Sequence, residues 1–202
     1  MILGKQEELD KLKAEMLRDN TLPLKTKDTN LVFGVGNPNT KILFVGEGPG
    51  YHENIKKEPF VGNAGMLLNQ LLLSINVKRP DVYITNVVHH RPLNNRDPEP
   101  EEIAAYGKYL DKILEIINPK VIVTLGRFSM GKFIPGARIS SIHGKVHKVK
   151  FKGIDMVVVP MYHPAAALRN GEVMRQIKED FLKLPGILED INQPILEQGN
   201  LI

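Results

Sequence analysis

The chain has 202 residues, of which 42% are hydrophobic and 25% charged, with a formal net charge of +4. This balance fits a single globular domain with a sizeable core and excludes a disordered chain or a collagen-like repeat. There is no cysteine, so disulfides, thiolate nucleophiles and cysteine-held zinc or iron–sulfur centres are excluded. The basic excess permits a polyanionic partner without requiring one.

Taken in chain order, Leu9, Leu12 and Met16 fall at helical spacing and predict an amphipathic helix over 5–18. The N-terminal segment is charged throughout and lacks the apolar stretch of a signal peptide. No apolar run approaches the roughly 18 residues that span a bilayer. The expectation is a soluble protein of the prokaryotic cytoplasm without a membrane partner.

Residues 19–30 are polar and turn-rich and read as a loop. Residues 31–33 are a short strand candidate, and residues 41–45 (KILFV) a stronger one that stops at the turn GEGPG. Residues 64–75 are apolar nearly all round, as in a helix buried on several sides. Residues 82–88 (VYITNVV) are β-branched and predict a strand. Ile103, Tyr106, Leu110, Ile113, Leu114 and Ile117 form the apolar stripe of a helix over 101–117, with Asp97 and Pro98 as its N-cap and first-turn proline. Residues 121–125 (VIVTL) and 156–160 (MVVVP) look like strands buried on both faces. A last helix is marked at about 172–184 by Val173, Ile177, Phe181 and Leu184. Residues 186–202 are a weakly patterned tail.

Strands alternating with helices predict an α/β domain over 1–185, with a central, mostly parallel four-stranded sheet between helical layers. Ligands of such sheets bind beyond the carboxyl ends of the strands. That rule selects the turn of Gly46, Glu47, Gly48, Pro49 and Gly50, then Asn86, then Gly126 and Arg127, then Tyr162 and His163. Glycines let peptide N–H groups approach a ligand. The turn is neither a dinucleotide fingerprint nor a phosphate loop. The Asn86 carboxamide offers donors and an acceptor suited to the imide edge of uracil or thymine. The His163 imidazole can donate to an oxygen that gains negative charge.

Other features have plainer readings. The acidic residues at 97–102 suit a helix N-terminus. His89 and His90 are neighbours on a strand and point to opposite faces, so no metal is expected. Residues 127–152 hold seven Lys or Arg and no Asp or Glu. This stretch suits either a solvated face or a track for a phosphate backbone.

Four segments carry a family resemblance: GEGPGYHENIKKEPFVGNAGMLL (46–68), TNVVHHRPLNNRDPEPEEI (85–103), PKVIVTLG (119–126) and YHPAAALRN (162–170). In order and spacing they resemble the family 4 uracil-DNA glycosylases, over about residues 19–184. The resemblance implies a three-layer α/β/α fold and hydrolysis of the N-glycosidic bond of uracil in DNA. It implies that the turn holds uracil and water, with Glu47 and Gly48 catalytic beside His163, and Gly46, Pro49 and Gly50 contacting substrate. Phe60 stacks on the flipped base and Asn86 reads its edge. Gly62, Ala64 and Gly65 allow close packing beside the pocket. The resemblance places Arg169 in the loop that enters the minor groove, where Leu168 is the candidate wedge; Arg91 and, from the basic stretch, Lys145 and Lys148 are further DNA-contact candidates.

The chain also departs from the family pattern. The four cysteines that hold a [4Fe–4S] cluster in the family are replaced by Asp19, Leu22, His90 and Tyr106. A chain without thiolates cannot hold that cluster. No cofactor is expected, and Leu22 and Tyr106 are expected to fill the gap, with a His90–Asp19 pair. Lys57 stands where a glycine is usual. No insertion separates Arg91 from Pro98, which argues against relatives that trap DNA through a loop histidine. A monomer is expected. The rival readings are a non-catalytic DNA-binding relative, an unrelated nucleotide-binding enzyme, and a glycosylase that also takes hypoxanthine or mismatched thymine.

Overall fold

The protein is described here by a computed structural model covering residues 3–192. In chain order the elements are α1 (Lys5–Arg18), β1 (Val35–Gly36), β2 (Ile42–Gly46), α2 (Tyr51–Lys56), α3 (Asn63–Ser74), β3 (Tyr83–Asn86), α4 (Pro100–Ile117) and β4 (Val121–Leu125). There follow α5 (Arg127–Phe133), α6 (Ile139–Ile142), β5 (His147–Phe151), β6 (Ile154–Met161), α7 (Pro164–Ala167) and α8 (Gly171–Asn192). Among the described residues no helix is long and apolar enough to cross a membrane.

The sheet order is β1-β3-β2-β4-β6-β5. The four inner strands are the parallel ones expected, and the short β1 and the longer β5 add antiparallel edges. Six strands replace the expected four because residues 35–36 pair with β3 and a hairpin folds the basic segment HKVKF back onto β6. Side chains alternate faces along each strand. Leu43 and Val45 pack with Leu9, Leu12 and Met16 of α1 and with Tyr106, Leu110 and Ile113 of α4. Ile42 and Phe44 pack on the other face, with Leu68 and Leu72 of α3 and Ile177 and Phe181 of α8. Both faces are covered, so the strands read as unbroken apolar runs. Phe44 stacks on Phe181 at 6.0 Å between ring centroids, and burial of each ring stabilises the fold by about 1.5–3 kcal/mol.

Several expected boundaries move. Residues 31–33 are not a strand, although Val32 N–H donates to His89 C=O and Phe33 C=O accepts from Thr85 Oγ1. The ladder forms only at Val35–Gly36, where the chain meets β3. β3 stops at Asn86, although the Val87 and Val88 N–H groups still donate to the carbonyls of Gly46 and Glu47. Glu99 caps α4 and Pro100 opens it, displacing Asp97 and Pro98. The Glu99 N–H donates to the carboxylate of Glu102, a contact that Asp97 is too far upstream to make. Helix α8 continues through Pro185 rather than stopping at 184. Ile187, Leu188 and Ile191 keep their helical register against the core, which holds that segment despite the lost N–H. Of the tail, residues 193–202 lie outside the described residues.

Candidate active site at the carboxyl edge of the sheet

The parallel register aligns the strand ends. Gly46 lies beside Asn86, Val45 beside Thr124, and Leu125 beside Met161. The segments that follow therefore converge on one edge, around a cleft of about 530 Å³. Glu47, Gly48, Pro49, Gly50, Phe60, Asn86, Gly126, His163 and Arg169 all line it.

Gly46 lies beneath this group. A Cβ there would stand 2.4 Å from Asn86 Oδ1 and 2.6 Å from the Phe60 ring, so only glycine lets both approach the turn. Asn86 is 1% exposed. Its Oδ1 has no hydrogen-bond partner among the described residues, although it belongs to a cleft-lining side chain. An unmade bond of this kind costs about 1–3 kcal/mol. It is an acceptor held ready for a donor that the protein does not supply.

His163 follows β6 and precedes Pro164. Its Nδ1 accepts from the Ala165 N–H at 3.1 Å, so in the neutral ring the proton sits on Nε2. Burial lowers the pKa of this imidazole to about 4, with Glu53 opposing the shift and Arg169 adding to it. The ring is thus a neutral N–H donor at physiological pH. Phe60 stacks against it at 5.5 Å between centroids.

Phe60 is held in the left-handed region, at φ 52°. A Cβ on Gly65 would come within 1.8 Å of the Phe60 carbonyl oxygen, so this glycine lets α3 pack under the turn. Lys57 also has positive φ, at 59°, which explains why glycine suits that position. Sequence reasoning missed Glu53, whose Oε1 accepts from the N–H groups of Val61 and Gly62 at 2.9 and 2.8 Å. It ties α2 to the Phe60 loop. In the sequence it resembles any acidic residue in a first helical turn, and nothing local marks its distant partners.

Glu47 faces the cleft. Burial raises its pKa to about 7; nearby Asp97 pushes the same way and Arg127 opposes. Asp97 and Arg127 form an ion pair at the cleft, so Asp97 leaves the helix-capping role expected of it. Arg91 bonds Asn95 and lies over the Tyr51 ring. Leu168 is half exposed beside the cleft-lining Ala166 and Arg169.

The basic stretch divides. Arg127 reaches the cleft, whereas Lys132 and Lys152 both pair with Asp111 of α4. Lys148 and Lys150 alternate on the exposed face of β5, and Lys145 bonds the Ser141 carbonyl. Neither Lys145 nor Lys148 lines the cleft.

The four positions taken from the cluster motif do not fit an iron–sulfur centre. His90 Nδ1 and the Tyr106 hydroxyl are hydrogen bonded at 2.8 Å, and Leu22 is buried. Asp19 accepts from Thr21, Lys108 and Tyr109, which hold its carboxyl well below the usual range. The expected His90–Asp19 pair is therefore replaced by separate bonds to α4. Tyr106 is closer to His90, and Asp19 finds a lysine. His89 is also buried; its Nε2 contacts Thr85 Oγ1 at 3.2 Å, and burial lowers its pKa to about 3.

Residues 33–183 match the Uracil DNA glycosylase superfamily. The chain belongs to that superfamily. It is 45% identical over 196 residues to a type-4 uracil-DNA glycosylase of Archaeoglobus fulgidus, covering 94% of this chain and 98% of the relative. A type-4 uracil-DNA glycosylase of Sulfurisphaera tokodaii is 46% identical over 185 residues, covering 88% and 84%. One from Thermotoga maritima is 44% identical over 191 residues, covering 91% and 97%. At this level the chain falls within the type-4 group, and it does so without a cysteine.

Proposed function

We propose that this protein is a DNA-repair hydrolase that extrudes uracil from DNA and cleaves its N-glycosidic bond, leaving an abasic site. The observation that carries the reading is the buried, unpartnered Oδ1 of Asn86 beside the neutral N–H donor of His163. Uracil N3–H supplies the donor that Asn86 Oδ1 lacks. Its O4 accepts from the same carboxamide, and O2 accepts from His163 Nε2. Phe60 supplies a ring face for the base.

Cleavage breaks C1′–N1, and the bonding pair leaves with uracil. Negative charge gathers on O2, where His163 and turn N–H groups act mainly on the transition state. Water adds to the cationic C1′ and gives its proton to the Glu47 carboxylate. Uracil leaves and takes up a proton from solvent. The protein works as a monomer on DNA in the cytoplasm, with Arg91, Lys145, Lys148 and Arg169 along the backbone.

Incubation with an end-labelled, uracil-containing oligonucleotide followed by alkali tests this reading. Cleavage at the uracil position is expected, and an intact strand refutes it. A hypoxanthine strand treated in parallel measures the breadth of specificity.

The pH dependence tests Glu47. Its carboxyl must be ionised to accept a proton, and its raised pKa delays ionisation to about pH 7. The single-turnover rate is expected to rise through pH 7 to a plateau. Glu47→Gln is expected to lower that plateau roughly 10²-fold and abolish the rise. An unchanged rise in Glu47→Gln assigns the ionisation to another group.

A further inference from the structure

Leu93 is 76% exposed, more than any other large hydrophobic residue described. It sits in the short turn after the Asn86 strand, at the apex of a segment whose neighbours Pro92 and Asn95 line the cleft. An exposed leucine alone means little. Here the backbone beneath it is fixed at several points. Asn94 and Asn95 both take the left-handed conformation, at φ 53° and 55°, which asparagine tolerates better than most residues. Asn95 N–H donates to Pro92 C=O, and Arg96 N–H to Leu93 C=O. Arg91 Nε donates to Asn95 Oδ1 at 2.7 Å. Arg96 forms two bonds with the mostly buried Glu102 carboxylate. The turn is rigid, yet its apolar apex points into solvent.

A second exposed leucine, Leu168, borders the same cleft from the loop after β6. In the sheet order β3 and β6 are separated by three strand spacings, about 14 Å. The two leucines thus flank the strand ends that hold Gly48 and Gly126. Proteins that distort duplex DNA press apolar side chains into base steps to replace lost stacking.

We infer that Leu93 is a second apolar probe of duplex DNA, pressing on the stack beside the extruded nucleotide on the side away from Leu168. It acts as a positioning residue for base extrusion and does not touch the reacting atoms. The inference rests on the glycosylase reading above.

Extrusion from a duplex must overcome stacking and pairing that a flexible single strand largely lacks. The test is single-turnover uracil release by Leu93→Ala on a U:A duplex and on the same strand alone. The duplex rate is expected to fall roughly tenfold and the single-strand rate less than about twofold. Leu93→Phe, which keeps an apolar apex, is expected to restore the duplex rate. Equal losses on both substrates would make Leu93 part of the pocket wall and overturn the inference, as would no loss on either. Failure of the unaltered protein to release uracil from either substrate would instead refute the glycosylase reading.

Discussion

Replacing His163 with alanine is expected to reduce the single-turnover rate of uracil release by roughly 10²–10³-fold, the usual cost of losing one donor to a developing oxyanion. DNA affinity should change little. The tautomer is fixed: Nδ1 is committed to the Ala165 N–H, so Nε2 carries the proton in the neutral ring. With the pKa near 4, the ring is already neutral at pH 5 and stays so. The donor is therefore present throughout the working range, and His163 should add no ionisation to the rate profile above pH 5. A neutral donor interacts weakly with the uncharged base and strongly once charge reaches O2, so the loss should appear in the chemical step. Unchanged single-turnover kinetics in His163→Ala would remove the imidazole from the mechanism. A matching loss of DNA binding would make it a structural residue of the α7 loop.

The parallel core was legible in the sequence for a physical reason. Strands such as 41–45 and 121–125 are covered on both faces, so each appears as an unbroken apolar run with no competing helical period. The carboxyl-edge rule then located Asn86 and His163 without knowledge of the packing. The edges were less legible. Val35–Gly36 is too short to show a pattern, and its pairing comes from β3, which is distant in sequence. The hairpin of β5 alternates lysines with Val149 and Phe151, the pattern of a half-exposed strand. Its addition to the main sheet depends on contacts with β6 that no local signal records.

At the site, the legible residues were those whose chemistry is rare at a strand end. Glu53 escaped because its role depends on two amides eight and nine residues downstream. Asp97 was read as a helix cap because aspartate before proline is common there. Its partner Arg127 enters only when β4 delivers α5 to the same edge. The His90–Asp19 pairing failed for a related reason. Both residues were assigned to one small space, but α4 presents Tyr106 and Tyr109 a helical turn apart, and each takes one of the two polar groups.

The specificity of the pocket is tested most severely by Asn86→Asp. The carboxamide presents a donor and an acceptor, whereas an ionised carboxylate only accepts. Opposite uracil O4 it would set two lone-pair groups face to face, in a position only 1% exposed to water. Sites built around hydrogen bonds discriminate strongly against a mismatched partner, so uracil release should fall roughly 10³–10⁵-fold. Cytosine presents an amino group where uracil presents O4, so a trace of cytosine release should emerge. Burial also favours the protonated carboxyl. In that form it can donate to O4 again, so lowering the pH should narrow the variant's deficit relative to the unaltered enzyme, since both proteins lose activity alike as Glu47 takes up a proton. A ratio of variant to unaltered rate that climbs as the pH falls would locate the reading of the base edge at Asn86. Uracil release at full rate by Asn86→Asp would leave the unpartnered acceptor without a substrate and dismiss the proposed pose.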